Sequence, residues 1–462
     1  MTQHPDTADA FLLFGATGDL ARKKIFPALY KLFQTERMRC PIIGISRTDW
    51  TDEQLRERAR QSIREQSDSP ADESGLNDFC SQLRYVAGDY TTRQTFTRLA
   101  KIVGDARMPL SFLAIPPDMF DDVVEGMASA GLTQRGRFVV EKPFGRDFES
   151  AQTLNSVLHR HLDESQIFRI DHFLGKDSVQ NLMVFRFANS MLEPIWNRHH
   201  ISSISITMAE SFGIEGRGRL YDSIGTIRDV VQNHLLQMIA LLAMEPPISS
   251  DASAMRDETT KVFKAIRPLN PDTVVRGQVE GYRDEPGVNP ESDVETYAAM
   301  RFEIDSWRWA GVPVYVRAGK SLKQTVTEAV IEFNQPPRML FAEDGCTPKP
   351  NRLVFQMKPN ESITLNLQAK ASGMKMVSRD VDLAVDSHQS FGDGPSAYER
   401  LIADAIIGDE RLFARQDGVE EAWRIIQPIL KPTRYVIPYP AGSWGPIAAE
   451  KYFPTEPPNR CS

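Results

Sequence analysis

Cysteine is scarce in this chain of 462 residues, with four in all. Cys40, Cys80, Cys346 and Cys461 show no C-x-x-C spacing, which excludes a zinc module and gives no sign of a disulfide framework. Long apolar runs are missing as well. The longest, around Leu235–Ala243, is interrupted by Gln237 and is about half the length a membrane span needs. Surplus positive charge is absent. Against 62 acidic residues stand 54 basic ones, a net charge of −8, which argues against nucleic acid as the main partner. The opening MTQHPDTADA carries Asp6 and Asp9 where a secretion signal needs basic charge. No internal repeat or low-complexity block interrupts the chain. A reduced, cytoplasmic protein with no membrane contact is expected.

What is present is a hydrophobic fraction of 41%, ample for a sizeable core. From residue 10 to about 171, short apolar runs alternate with stretches of helical period. The runs are Phe11–Gly15, Pro41–Ser46, Arg84–Gly88, Leu110–Pro116, Phe138–Glu141 and Ile167–Ile170. Between them lie segments such as Asp52–Glu65 and Asp118–Ala130. Near-continuous apolar strands separated by helices predict a parallel sheet covered on both faces, an α/β Rossmann-like doubly wound domain. Further on, Ser203–Met208, Ser362–Leu367 and Val381–Val385 alternate strictly, as antiparallel strands with one covered face do. Val312–Arg317, Ala329–Phe333 and Leu353–Met357 extend that sheet, and Arg228–Glu245 reads as one long helix stopped by Pro246-Pro247. The expected organisation is a nucleotide-binding domain over 1–175, followed by a larger α+β domain over 176–462 with a mostly antiparallel sheet.

Three clusters carry chemistry. Phe11–Phe14 runs into Gly15-Ala16-Thr17-Gly18-Asp19-Leu20-Ala21, a strand, a glycine turn and a helix start in the order that cradles a pyrophosphate. The spacing is G-x-x-G-x-x-A, so a tight turn that only needs positive φ is the alternative. Where the next strand ends, NAD sites usually place an acid; here stands Arg47, whose fork pairs a 2′-phosphate, which favours NADP over NAD. Glu141-Lys142-Pro143-Phe144-Gly145 and Arg169-Ile170-Asp171-His172-Phe173-Leu174-Gly175-Lys176 close two further strands, where such folds hold ligands. If the chain turns helical there, His172 and Lys176 share a face suited to a phosphate. Asp229 and His234 lie on an otherwise apolar helix, where buried polar groups need a reason. His234 alone reads as a core histidine and Asp171 alone as a helix cap. Together they allow an imidazole base oriented by a carboxylate.

GATGDLARKKIFPALYKL, EKPFG, RIDHFLGK, IRDVVQNHLLQMIALLAMEPP and VRAGKSL, in this order, resemble the glucose-6-phosphate dehydrogenase family, and AGSWGP at Ala441–Pro446 resembles its bacterial members. The resemblance implies the two-domain fold and NADP-linked oxidation of glucose 6-phosphate, the opening of the oxidative pentose phosphate route. It implies His234 as the base and Asp171 as its carboxylate partner. It implies Lys142, His172, Lys176, Glu210, Asp229 and Lys320 as substrate ligands, and Gly15, Thr17, Gly18, Leu20, Arg47 and Lys142 as coenzyme contacts. No metal is implied, and the expected assembly is a homodimer or homotetramer built on the face of the large sheet. Phe173 and Thr325 depart from the family's usual Tyr and Lys or Arg, each removing a hydrogen bond to phosphate worth roughly 1.5–3 kcal/mol. Lys323 and Lys358 are expected to compensate. Val326 and Gln356 stand where animal members with a second coenzyme site carry basic residues, so one coenzyme per chain is expected. Two rivals remain open: a dehydrogenase of a different sugar or 6-phosphosugar, and a non-catalytic NADP or sugar-phosphate sensor.

Overall fold

In the computed structural model, residues 7–66, 72–338, 341, 349–386, 394–431 and 436–453 are described. Cys346 and Cys461 lie outside them. The described chain divides into two units. The first takes in residues within 1–176 together with 247–257 and 395–420; the second takes in 177–246, 258–394 and 421–453.

The apolar runs of the first third become β1 (Ala10–Phe14), β2 (Ile42–Ser46), β3 (Leu83–Ala87), β4 (Pro109–Leu113), β5 (Arg137–Glu141) and β6 (Ile167–Ile170). They pair in parallel in the order β3-β2-β1-β4-β5-β6. This is the dinucleotide-binding arrangement, whose strand order reverses beside β1 and leaves a crevice at the carboxyl ends of β1 and β4. Strands β1, β2, β4 and β5 are buried along their whole length, as a sheet covered on both faces requires. Phe11, Leu13, Phe112, Val139 and Phe168 centre the core beneath the helix Phe26–Gln34.

A seventh strand returns from far along the chain. The short strand Phe413–Ala414 pairs antiparallel with β6, and the helix Ala397–Ile407 before it buries Leu401, Ile402, Ala405 and Ile406 in the same core. Arg137 Nη1 donates to the carbonyls of Ala405 and Ile406 at 3.2 and 2.8 Å. The expected boundary at residue 175 leaves out this segment and 247–257: Phe413–Ala414 pairs with a strand about 240 residues upstream, while Arg256 and Asp257 pair with Glu410 and Arg415 of the returning segment.

The second unit is built on a nine-stranded sheet. Its strands in chain order are β7 (Ile201–Ala209), β8 (Val274–Val279), β9 (Tyr297–Phe302), β10 (Val314–Gly319), β11 (Val326–Phe333), β12 (Arg352–Lys358), β13 (Ser362–Lys370), β14 (Ser378–Asp386) and, after Phe413–Ala414 as β15, β16 (Ile437–Tyr439). They lie in the order β14-β13-β12-β11-β7-β10-β9-β8-β16. Only β7 with β10 and β8 with β16 run parallel; the other pairs are antiparallel. The stretch expected as one long helix has two parts. Ile227–Leu235 is a π-helix with i→i+5 closure and continues as α-helix only over Leu236–Ala243, just short of Pro246-Pro247.

At the end of β5, Glu141 is buried and accepts a hydrogen bond from the Tyr398 hydroxyl, 3.0 Å, on the returning helix. Burial pushes this carboxyl up to about 7, with the Tyr398 bond and Lys142 opposing and Asp171 adding to the rise. Folding therefore holds a proton that the unfolded chain, with its carboxyl near 4.5, has already released. The sign follows: Glu141 lowers stability progressively as pH rises from about 4.5 to about 7. In urea unfolding at pH 5 and pH 8, Glu141→Gln is expected to gain up to a few kcal/mol relative to the parent on going to the higher pH. Parallel pH profiles in the two proteins contradict this assignment.

Candidate active site

At the end of β1 the chain turns at Gly15 with φ +76°, and a Cβ there would lie 2.2 Å from the Ala114 carbonyl oxygen. Only glycine lets the loop run this close to β4. The turn is held by Gly15 N–H donating to the Ile45 carbonyl at 2.9 Å and by Gly18 N–H donating to the Gly15 carbonyl at 2.9 Å. The Tyr90 hydroxyl lies 3.0 Å from Gly15 N and itself donates to the Ile45 carbonyl at 3.1 Å. Thr17 Oγ1 lies 2.9 Å from Ser46 Oγ, so the glycine turn is tied to the end of β2, and exposed Arg47 follows immediately. Gly15, Thr17, Gly18, Leu20 and Arg47 thus follow the carboxyl ends of the adjacent strands β1 and β2, with a helix starting at residue 19. A close-approach glycine and a helix N-terminus fit the diphosphate of a dinucleotide. Tyr90 was not foreseen, since no local spacing marks a tyrosine 75 residues from the turn it supports.

Strands β5 and β6 are neighbours, with Glu141 opposite Ile170, so the two signatures that follow them emerge side by side. The Lys142–Pro143 peptide is cis. Asp171 is buried, and its Oδ1 accepts the Phe173 N–H at 2.9 Å. Leu174 N–H donates to the Asp171 carbonyl at 3.0 Å and Lys176 N–H to the Phe173 carbonyl at 3.2 Å. These are turn bonds, and helix begins only at Asp177. The condition for His172 and Lys176 to share a helical face is therefore not met, because the Asp171 carboxylate competes for backbone donors and fastens a turn instead. His172 stacks on Tyr398, ring centroids 6.4 Å apart and planes 10° apart. The Lys176 ammonium sits 4.5 Å above the Phe173 ring. Tyr398 is a second unforeseen residue, since it comes from the returning segment.

In the second unit, Glu210 follows β7 and Lys320 follows the adjacent parallel strand β10. Lys320 is 7% exposed, and its ammonium pairs with the Glu210 carboxylate and lies 3.8 Å from Asp229 Oδ2. Tyr221 and Phe212 flank it, ring centroids 5.5 and 5.7 Å away. Asp229 and buried His234 share the π-helix, where i→i+5 closure brings residues about five apart to one side. In an α-helix the same spacing would turn them well away from each other. Thr325 accepts the Ser211 N–H at 3.0 Å, while Lys323 and Lys358 are exposed. Val326 is buried at the start of β11, and Gln356 donates to the Asn360 carbonyl at 3.2 Å. Among the described residues no helix is long and apolar enough to cross a membrane.

Both parts of the chain match domains of known proteins. Residues 12–181 match the glucose-6-phosphate dehydrogenase NAD binding domain, and residues 183–458 match the glucose-6-phosphate dehydrogenase C-terminal domain. A glucose-6-phosphate 1-dehydrogenase 1 of Mycobacterium bovis is 44% identical over 444 residues, 96% of this chain and 94% of that protein. The crystal structure of glucose-6-phosphate 1-dehydrogenase from Mycobacterium avium superposes with a TM-score of 0.90 at 45% identity, covering 97% of each chain. A glucose-6-phosphate dehydrogenase solved in complex with its substrate glucose 6-phosphate gives 0.91 at 36% identity, covering 98% of each. A 3-ketoreductase from Actinomadura kijaniata, at 0.51 and 12%, shares the fold alone. With both family domains matched in order along nearly its whole length, the chain belongs to the glucose-6-phosphate dehydrogenase family.

Proposed function

We propose that the protein oxidises glucose 6-phosphate at C1 to 6-phospho-glucono-1,5-lactone with NADP, the first step of the oxidative pentose phosphate route, in the cytoplasm. The observation that carries the reading is the unbroken match to both family domains, one of whose solved members holds glucose 6-phosphate as its substrate. A nicotinamide dinucleotide is the cofactor that the first domain takes. NADP, in preference to NAD, is supported by Arg47 at the end of β2, where an NAD site carries an acid.

When bound, the nicotinamide ring accepts hydride from the sugar C1. His234 removes the C1 hydroxyl proton, so that the product leaves as a neutral lactone, and Asp171 orients the imidazole and stabilises its charged form. Glu210, Asp229 and Lys320 hold sugar hydroxyls; a buried cation bonded to one carboxylate with a second 3.8 Å away is a set of donors and acceptors that polyols satisfy well. His172 and Lys176 take the phosphate. Lys142 touches both sugar and coenzyme, with Pro143 setting the backbone between them. Gly15, Thr17, Gly18 and Leu20 hold the diphosphate, and Arg47 the 2′-phosphate.

The protein works as a homo-oligomer. On β13 and β14 the cross-strand pairs Ile363–Val385, Leu365–Leu383 and Leu367–Val381 share one face. Leu383 and Val385 are 56% and 47% exposed there, which makes an apolar stripe on the sheet face fit to meet a second copy.

Absorbance at the NADPH band, with glucose 6-phosphate, glucose, glucosamine 6-phosphate and either coenzyme, tests the activity. Reduction of NADP with glucose 6-phosphate alone is expected; turnover only with another sugar reassigns the substrate, and silence throughout removes the activity. His234→Asn is expected to lower kcat roughly 10²–10⁴-fold while coenzyme binding by calorimetry is retained. Arg47→Ala should raise the KM for NADP roughly 10–100-fold and leave that for NAD alone. Light scattering of Leu383→Glu is expected to show a smaller species than the parent, and an unchanged mass refutes the sheet-face contact.

A further inference from the structure

Glu295 lies between the sequence signatures and belongs to none of them, yet it is 2% exposed and every oxygen it offers is engaged. Its Oε1 accepts the Ile227 N–H at 3.0 Å, and its main-chain carbonyl accepts the Thr226 N–H at 3.0 Å. Its Oε2 pairs with the Arg276 guanidinium, which in turn donates to the Ile429 carbonyl at 2.9 Å. Thr226 and Ile227 are where the π-helix begins, so one residue holds two consecutive amides at the start of the element that carries Asp229 and His234. The approach is close. A Cβ on Gly225, whose φ is +69°, would lie 2.7 Å from Glu295 Oε1.

The next residue points the other way. Thr296 is fully buried; its carbonyl accepts the Lys320 N–H at 2.9 Å, and its hydroxyl lies 2.8 Å from the Tyr439 hydroxyl. The Tyr439 hydroxyl donates to the Lys320 carbonyl at 2.8 Å. Glu295-Thr296 therefore joins the backbone that presents Lys320 to the helix that presents Asp229. A buried carboxylate also suits this place electrostatically, because the helix N-terminus and the guanidinium are both positive. A shorter or uncharged side chain cannot meet both.

We propose that Glu295 is a positioning residue: it sets the height and rotation of the helix 227–235, and through it the placement of Asp229 and His234 against Lys320. The kinetic part of this rests on the activity proposed above. It touches neither substrate nor coenzyme, and its effect is read through the sugar-binding set.

The test compares Glu295→Ala and Glu295→Gln with the parent at a temperature where circular dichroism shows all three folded. Glu295→Ala is expected to lower kcat/KM for glucose 6-phosphate at least tenfold while the Kd for NADP stays within twofold. Glu295→Gln, which keeps an acceptor for Ile227, should be milder. In a double-mutant cycle with Asp229→Asn the losses should be less than additive, since both act on one helix. Hydrogen exchange gives a readout that does not depend on turnover: the Thr226 and Ile227 amides should exchange at least tenfold faster in Glu295→Ala. A parent that fails to reduce NADP with glucose 6-phosphate removes the activity and leaves the exchange measurement to decide the positioning role. Unchanged exchange at Thr226 and Ile227, or kcat and KM both within twofold of an active parent, overturns it. If Glu295→Ala does not fold, the same criteria apply to Glu295→Gln with a threefold threshold.

Discussion

The ammonium of Lys320, a residue 7% exposed to solvent, governs the second unit. Taking one unpaired charge out of water costs several kcal/mol even after the protein relaxes, so the fold must bring carboxylates to it. It does so from two separate stretches of chain. Lys320 and Glu210 come from parallel neighbours, β10 and β7, whose ends lie level because Gly319 is in register with Ala209. Asp229 comes from a helix anchored by Glu295, and the Tyr221 ring closes one side. In a largely antiparallel sheet, the central parallel pair is what allows two consecutive loop starts to face the same end.

The same economy recurs at the nucleotide turn, though with backbone in place of charge. Gly15 is pressed against the Ala114 carbonyl, and the hydroxyls of Tyr90, Thr17 and Ser46 fasten the loop to β2. In both units, then, residues that bear on ligand chemistry rest on polar partners brought from distant strands.

This explains how far the sequence could be read. The six parallel strands of the first sheet were legible because each is a near-continuous apolar run, strands β7, β13 and β14 because they alternate, and β10, β11 and β12 as further short apolar runs of the same sheet. Glycine spacing marked the turn at Gly15, and a charged residue after an apolar run marked Arg47. Strand β8 left no clear pattern because Arg276, Gly277 and Gln278 interrupt Val274–Val279, and the apolar stretch of β9, Tyr297–Met300, is too short for its length to separate a strand from a buried helix segment. The π-helix was read as ordinary helix because apolar periodicity does not distinguish i→i+5 from i→i+4 closure over two turns. Whether the chain turns helical at His172 stays open in the sequence, because the Asp171 side chain, and not propensity, decides its backbone. Tyr90, Tyr398 and Glu295 left no local trace: what they support lies 75 residues away for Tyr90, 257 for Tyr398 and 68 for Glu295.

The returning segment has a consequence for how the protein is made. Strand β6 is completed at Ile170, but its outer neighbour, Phe413–Ala414, comes about 240 residues later. At translation rates of roughly 5–20 residues per second, the edge of the first sheet waits on the order of 10–50 seconds for its last strand. For that interval β6 offers unpaired backbone groups, and Phe168 lacks the Phe413 ring that later packs against it at 4.9 Å. The nascent chain is thus most open to chaperones, and to mispairing with other chains, after its nucleotide-binding half has been synthesised and before its C-terminal helices emerge.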